Sequence, residues 1–195
     1  MKVLIISASM RGESQSLKVA NWLNSHLNSK NVGSDLLDLH DFKLPMFDNG
    51  ETVANNETQL KEMLDKSDAY VFVSPEWNGM MSHGLINMLH YAEHELAYKP
   101  VMLVGVSAGR GGAYPVEQMR LMGHKNRHYI LSPENLIVSG VGQAFNTPEI
   151  DENAPDFALK ERADYSLNIL VALADSLKVV RSKDIIDLKR FSNGV

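Results

Sequence analysis

The sequence predicts an α/β protein: one doubly wound sheet of five parallel strands with helices on both faces. Two observations carry this. Val3–Ser7, Ala69–Ser74 and Pro100–Ser107 are apolar without alternation, the pattern of strands buried on both sides. After each comes a loop of small or polar residues and then helical spacing, so strand and helix alternate as in βαβ units. A chain of 195 residues can bury a sizeable core, and a single domain over residues 1–195 is expected.

The first strand, Val3–Ser7, breaks into Ser7-Ala8-Ser9-Met10-Arg11-Gly12-Glu13-Ser14-Gln15-Ser16. Ser14 or Ser16 caps a helix running to about Asn28, with Leu17, Ala20, Leu23 and Leu27 in helical rhythm. Asn31-Val32-Gly33 turns the chain into a weaker second strand, Ser34–Leu39, and His40–Asn56 is irregular. A short helix, Glu57–Lys66, precedes the strand Ala69–Ser74 and the loop Pro75-Glu76-Trp77-Asn78-Gly79. A helix over about Ser82–Leu96 follows, then the strand Pro100–Ser107, a glycine loop through Gly112 and a helix beginning near Pro115. Tyr129–Leu131 and Asn135–Ser139 form a last strand interrupted by Ser132-Pro133. Gly142–Ala154 is a loop, Asp156–Leu177 a long amphipathic helix, and Val179–Val195 a charged tail.

Composition narrows the function classes. The net charge is −5 and no basic block occurs, which argues against nucleic acid as a partner. Zero cysteines exclude disulfides, thiolate-held zinc or iron–sulfur clusters, and the thiolate nucleophile of a low-molecular-weight phosphatase. That usage fits a cytoplasmic location. No apolar run reaches the roughly 18 residues that span a bilayer, and the N-terminus does not read as a signal peptide. No membrane partner is expected.

In a doubly wound sheet, ligands bind beyond the carboxyl ends of the strands at the switch point. Three unusual loops all follow strands, so Ser7–Ser16, Pro75–Met81 and Ser107–Gly112 should share one edge. The first places serines and Arg11 at a helix N-terminus, where free N–H groups and partial positive charge favour a phosphate. It has neither G-x-G-x-x-G nor G-x-x-x-x-G-K-[ST], which disfavours dinucleotide and P-loop sites. The alternative is a solvated turn whose serines only cap the helix. The second loop sets an aromatic ring among polar groups and suits a flat heteroaromatic ligand. Otherwise it is a turn with Trp77 packed on the surface. The third admits close backbone approach, or is a plain glycine turn.

Phosphate at one end and a planar ring at the other describe FMN. The motifs resemble the NADPH-dependent FMN reductase family, a branch of the flavodoxin-like fold, over about residues 2–140. The family's Gly-Ser-x-Arg-x-x-Ser-x-Asn stands here as Ala8-Ser9-Met10-Arg11-Gly12-Glu13-Ser14-Gln15-Ser16, with Ala8 and Ser16 departing from it. Pro-Glu-Tyr-Asn-Gly stands as Pro75-Glu76-Trp77-Asn78-Gly79, and Ser-x-Gly-x-x-Gly-Gly as Ser107-Ala108-Gly109-Arg110-Gly111-Gly112. The family's Pro-x-x-Leu-Lys-Asn has lost its Pro and Lys in Ser82-His83-Gly84-Leu85-Ile86-Asn87.

The resemblance implies that Ser9, Arg11, Ser14, Gln15 and Ser16 hold the phosphate. Pro75, Glu76, Trp77, Asn78 and Gly79 would flank the ribityl chain and ring, and Ser107, Gly109 and Gly112 would close the ring's other edge. It implies an FMN-dependent oxidoreductase taking hydride from NADPH or NADH. Electrons would pass to a small-molecule acceptor such as a quinone, azo compound, free flavin or metal oxyanion. The cofactor carries the chemistry, so no catalytic side chain is named. Homodimers or homotetramers, joined through the helices after Ser82 and Pro115, are implied as well. A flavodoxin-type electron carrier and a non-enzymatic flavin- or nucleotide-binding module are the rival functions. His90 and His94, at i, i+4 on the expected helix, could suit a metal, but no third ligand is evident, and no metal is expected.

Overall fold

The computed structural model describes residues 1–50, 52 and 54–193; Glu51, Val53, Gly194 and Val195 lie outside the described residues. Strands β1 (Lys2–Ser7), β2 (Gly33–Asp38), β3 (Ala69–Pro75), β4 (Pro100–Val106) and β5 (Ile130–Val138) form one parallel sheet in the order β2-β1-β3-β4-β5. The order reverses between β1 and β3, which is the switch point. Helices α1 (Gln15–Ser29), α2 (Leu39–Phe42), α3 (Glu57–Asp65), α4 (His83–Tyr91), α5 (Ala113–Leu121) and α6 (Phe157–Arg181) connect or cover the strands.

Strand periodicity explains how the faces are divided. Val3 and Ile5 of β1 and Val71 and Val73 of β3 point to one side, onto Val19 and Leu23 of α1 and Leu167 and Leu170 of α6. Leu4, Ile6, Tyr70 and Phe72 point to the other, onto Leu60 and Leu64 of α3, Leu85 and Met88 of α4 and Met119 of α5. Every residue of β3 and β4 is buried, as their unbroken apolar runs predict. Each large apolar side chain so buried contributes about 1.5–3 kcal/mol.

Several boundaries differ from the sequence expectation, each for a local reason. The second strand stops at Asp38, whose carboxylate accepts the His40 N–H and caps α2, so Leu39 opens a helix. The expectation of irregular chain over His40–Asn56 otherwise stands among its described residues, which exclude Glu51 and Val53. Helix α4 ends at Tyr91, not near Leu96; beyond it the Glu95 carboxylate takes the Glu93 N–H at 2.6 Å. Ser132-Pro133 does not interrupt β5: the sheet shifts register opposite Val101 and Leu103, and an edge strand tolerates the missing N–H. Helix α6 continues to Arg181, whose guanidinium reaches Tyr98 O and Asp68. The described residues of the tail after it, 182–193, are turns, bends and irregular chain.

Candidate functional site

The three loops expected at one edge do leave the carboxyl ends of β1, β3 and β4. Ser9, Arg11, Ser14, Gln15 and Ser16 of the first line one cleft together with Pro75, Glu76 and Trp77 of the second and Val106 and Ala108 of the third. The cleft encloses about 180 Å³.

The first loop is a cradle with donors to spare. Ser14 Oγ accepts the Leu17 N–H at 3.0 Å and caps α1, and Ser9 Oγ accepts the Arg11 N–H at 3.3 Å. Each oxygen therefore receives an amide and keeps its own O–H to give. Ser9, Ser14 and Ser16 are buried, which fixes their hydroxyls. The first intrahelical bond of α1 runs from Lys18 N–H to Ser14 O, so the Gln15 and Ser16 amides precede the ladder and face the N-terminal end. Hydroxyl donors, helix-terminal amides and an exposed guanidinium fit a phosphate monoester. Lys18, one turn on, ties α1 to the next loop through Val141 O and Asn146 Oδ1, both at 2.8 Å; its partial burial lowers its pKa.

The second loop owes its shape to Asn78-Gly79. Both have positive φ, +52° and +73°, and Trp77 and Met80 exchange N–H···O bonds of 3.1 and 2.9 Å across them. That is a two-residue hairpin of the Asn-Gly kind. It presents the half-buried Trp77 ring to the cleft, and the Arg11 guanidinium lies 5.4 Å from that ring's centroid. Gln118 of α5 braces the hairpin by accepting the Met81 N–H at 2.7 Å.

The third loop is held from beneath. Ser107 Oγ accepts the Gly109 N–H at 3.2 Å, and Gly109 O accepts the Gly140 N–H at 2.7 Å. Gly112 caps α5 with φ +110°, a conformation suited to glycine.

Among the expected site residues, eight line the cleft: Ser9, Arg11, Ser14, Gln15, Ser16, Pro75, Glu76 and Trp77. Asn78 and Gly79 stand exposed at the hairpin tip, Ser107 and Gly109 stand on the third loop, and Gly112 is buried beneath it. Sequence reasoning missed Val106, Ala108 and Val141 in the lining, and Ser139, whose hydroxyl donates to Gly111 O at 2.6 Å. Ser139 and Val141 follow β5, so the rule that used the carboxyl ends of β1, β3 and β4 would have reached them. Leu17, Trp22 and Phe145 line a larger open groove of about 420 Å³ beside the cleft.

The histidines lie elsewhere. His94 is beyond the end of α4, so its helical spacing from His90 does not exist; His90 stacks on Phe47, with ring centroids 5.3 Å apart. His128 stacks on Tyr98. Among the described residues no group of three or more His, Cys, Asp or Glu could hold a metal ion.

Fold and site together define a doubly wound protein with an anion cradle and an aromatic rim at the switch point, the arrangement of a flavin mononucleotide domain. A model of the NADPH-dependent FMN reductase family matches residues 1–142, and the chain belongs to that family. It is therefore an oxidoreductase with FMN as cofactor and a reduced nicotinamide nucleotide as co-substrate. It is similar to the FMN-dependent NADPH-azoreductase of Staphylococcus aureus, 27% identical over 175 residues, with 86% of this chain and 85% of the relative covered. Among solved structures, the flavoenzyme NAD(P)H:acceptor oxidoreductase FerB of Paracoccus denitrificans superposes with a TM-score of 0.64 at 18% identity, covering 91% and 97% of the two chains. A flavodoxin variant of Pseudomonas aeruginosa shares the fold at a TM-score of 0.53 and 18% identity, covering 91% and 99%.

Proposed function

We propose that the chain reduces aromatic small molecules, azo compounds and quinones foremost, with the FMN phosphate held in the cradle and the ring edge against the second and third loops. The observation that carries the placement is the convergence of unused donors of Ser9, Ser14, Ser16 and Arg11 with the Trp77 face in one cleft. When bound, FMN would supply the redox chemistry between NAD(P)H and an acceptor. The protein's own work is to bind and orient. Arg11 would offset the phosphate charge, the hydroxyls would donate to its oxygens, Gln15 and Ser16 would offer helix-terminal amides, and Pro75 and Glu76 line the same cleft. Asn78 and Gly79 would flank the ribityl chain and ring, and Ser107, Gly109 and Gly112 would close the ring's other edge. The azoreductase relative supports azo acceptors. So does the outer rim, where Tyr114 is 67% and Met80 52% exposed and an aromatic acceptor finds apolar surface.

The test is spectroscopic. Purified protein should be yellow and release FMN on heating, and anaerobic NADPH or NADH should bleach the bound flavin rapidly. Failure of both nucleotides to bleach it would leave an electron carrier. Reoxidation by an azo dye and by a quinone then ranks the acceptors.

A homodimer through the α4–α5 face is part of the same reading, with a homotetramer as the other outcome of the test. Leu121 is 81% exposed, and Met122 helps line an apolar cavity of about 200 Å³ with Met81, Ile86 and Leu89. Sedimentation should give a dimer that Leu121→Glu converts to monomer; a wild-type monomer refutes it. No helix among the described residues is long and apolar enough to cross a membrane, and a cytoplasmic location is proposed from the cysteine-free composition.

A further inference from the structure

We propose that Glu76 is a positioning residue whose carboxylate braces the loop after β4 against the loop after β3, fixing the slot between them before the flavin ring enters. The inference rests on the flavin reading of the cleft. It revises the expected role of Glu76 from touching the cofactor to shaping the backbone that does.

Three observations carry it. The Glu76 N–H donates to Val106 O at 2.8 Å, so its backbone is locked to the end of β4. Its carboxylate then accepts the Gly112 N–H at the start of α5. Gly112 has no side chain with which to cap that nine-residue helix, and no side-chain cap is present within the turn. A carboxylate arriving from the second loop instead accepts the N–H of the N-cap residue itself, where a charge-assisted bond and the helix-terminal charge favour an anion. Finally, a Cβ on Gly111 would collide with this carboxylate, so the glycine leaves the room it occupies.

The third loop is thus gripped from two sides: Ser139 donates to Gly111 O at 2.6 Å, and Glu76 accepts from Gly112 N. Glycines lose the most conformational freedom on ordering. Ordering them in the free protein removes that cost from ligand binding.

The experiment is a double-mutant cycle read by FMN dissociation constant, apoprotein unfolding midpoint and the visible circular dichroism of bound FMN. In Gly111→Ala the new methyl displaces the end of a flexible side chain, so the carboxylate leaves Gly112 while the backbone stays. Glu76→Ala and Gly111→Ala should each weaken FMN binding about tenfold. The double variant should be no weaker than either. Glu76→Gln, whose amide oxygen still accepts the Gly112 N–H but without the charge, should recover most of the lost affinity and the wild-type dichroism band.

Additive losses in the double variant, or a Glu76→Gln protein as weak as Glu76→Ala, would overturn the proposal. Should Glu76→Ala not fold, the remaining pair decides: Glu76→Gln must bind FMN more tightly than Gly111→Ala and keep the wild-type dichroism band. A wild-type chain that takes up no FMN overturns the flavin reading itself, an outcome distinct from additivity.

Discussion

The two ends of the sheet treat their polar groups in opposite ways. At the carboxyl end, Ser9 and Ser14 receive backbone amides and, among the described residues, their O–H groups have no acceptor and the Arg11 guanidinium has the Trp77 ring beside it without an ion pair. At the amino end, polar groups satisfy one another. Lys99 is buried, and its Nζ donates to Leu64 O, Asp65 O and Tyr70 Oη at 3.1, 2.8 and 3.2 Å. Tyr70 in turn donates to Leu64 O and to Glu95 O. Asp68 accepts the Lys2 N–H at 2.9 Å and pairs with Lys178 and Arg181 at 3.4 Å each; partial burial raises its pKa, but the Lys2 amide and the Lys178 ammonium outweigh it and lower it overall. A polar cluster whose donors are matched internally holds the fold together. One with donors left over is completed from outside. The difference teaches where a ligand belongs even though a cavity of about 480 Å³ also exists at the amino end.

Substitutions at the two ends should separate affinity from stability. Arg11→Ala should weaken FMN binding by about 1.5–3 kcal/mol, the worth of a hydrogen bond to a charged group, with an unchanged apoprotein unfolding midpoint. Unchanged affinity in a fluorescence titration would refute the phosphate assignment. Lys99→Met should do the reverse, leaving Tyr70 Oη and Asp65 O short of a donor while Leu64 O keeps the Tyr70 hydroxyl and the Ser67 N–H. A stability loss of about 1–3 kcal/mol in urea is expected, with FMN affinity intact. A matching loss of FMN affinity would break the division between the ends.

A smaller effect is read by pH. Burial pushes Lys99 down from its ordinary 10.5 to about 8. Between those values the unfolded chain holds a proton that the folded chain lacks, so this group's contribution to stability rises with pH. Burial pushes Tyr70 well above its ordinary 10 and Tyr129 to about 12. Above pH 10 the folded state therefore keeps protons the unfolded one loses, and stability falls. Denaturant titrations of wild type minus Lys99→Met should rise from about pH 8 to about pH 10; a flat difference contradicts the burial of the amine. The smallest expected effect is at the rim. Trp77→Ala should reorder azo and quinone acceptors in steady-state kinetics by a few fold while FMN retention changes less, as befits the loss of one stacking face. Equal slowing with every acceptor would move Trp77 from acceptor selection to general support.

Much of this was legible beforehand. Apolar runs such as Ala69–Ser74 mark doubly buried strands, because only a sheet covered on both faces accepts them. The order of strand, loop and helix then places three loops at one edge. Eight of the thirteen expected site residues line the cleft, since each side chain follows directly from the end of its strand. Less legible were elements whose ends depend on distant partners. The end of α4 before His94 and the unbroken path of β5 through Pro133 follow from a side chain competing for a backbone amide and from an edge position.

The sequence by itself determined the sheet, the edge that gathers the three loops and the hydroxyl and guanidinium donors of the first of them. These rest on burial pattern and on bonds between residues a few positions apart. Only the tertiary structure decided what Glu76 does, that Ser139 grips the glycine loop, and that Lys99, Tyr70 and Asp68 at the amino end are partnered by other groups of the chain. Those outcomes join residues such as Glu76 and Gly112, 36 positions apart. Long-range hydrogen bonds follow from how the loops pack, and no local pattern records them.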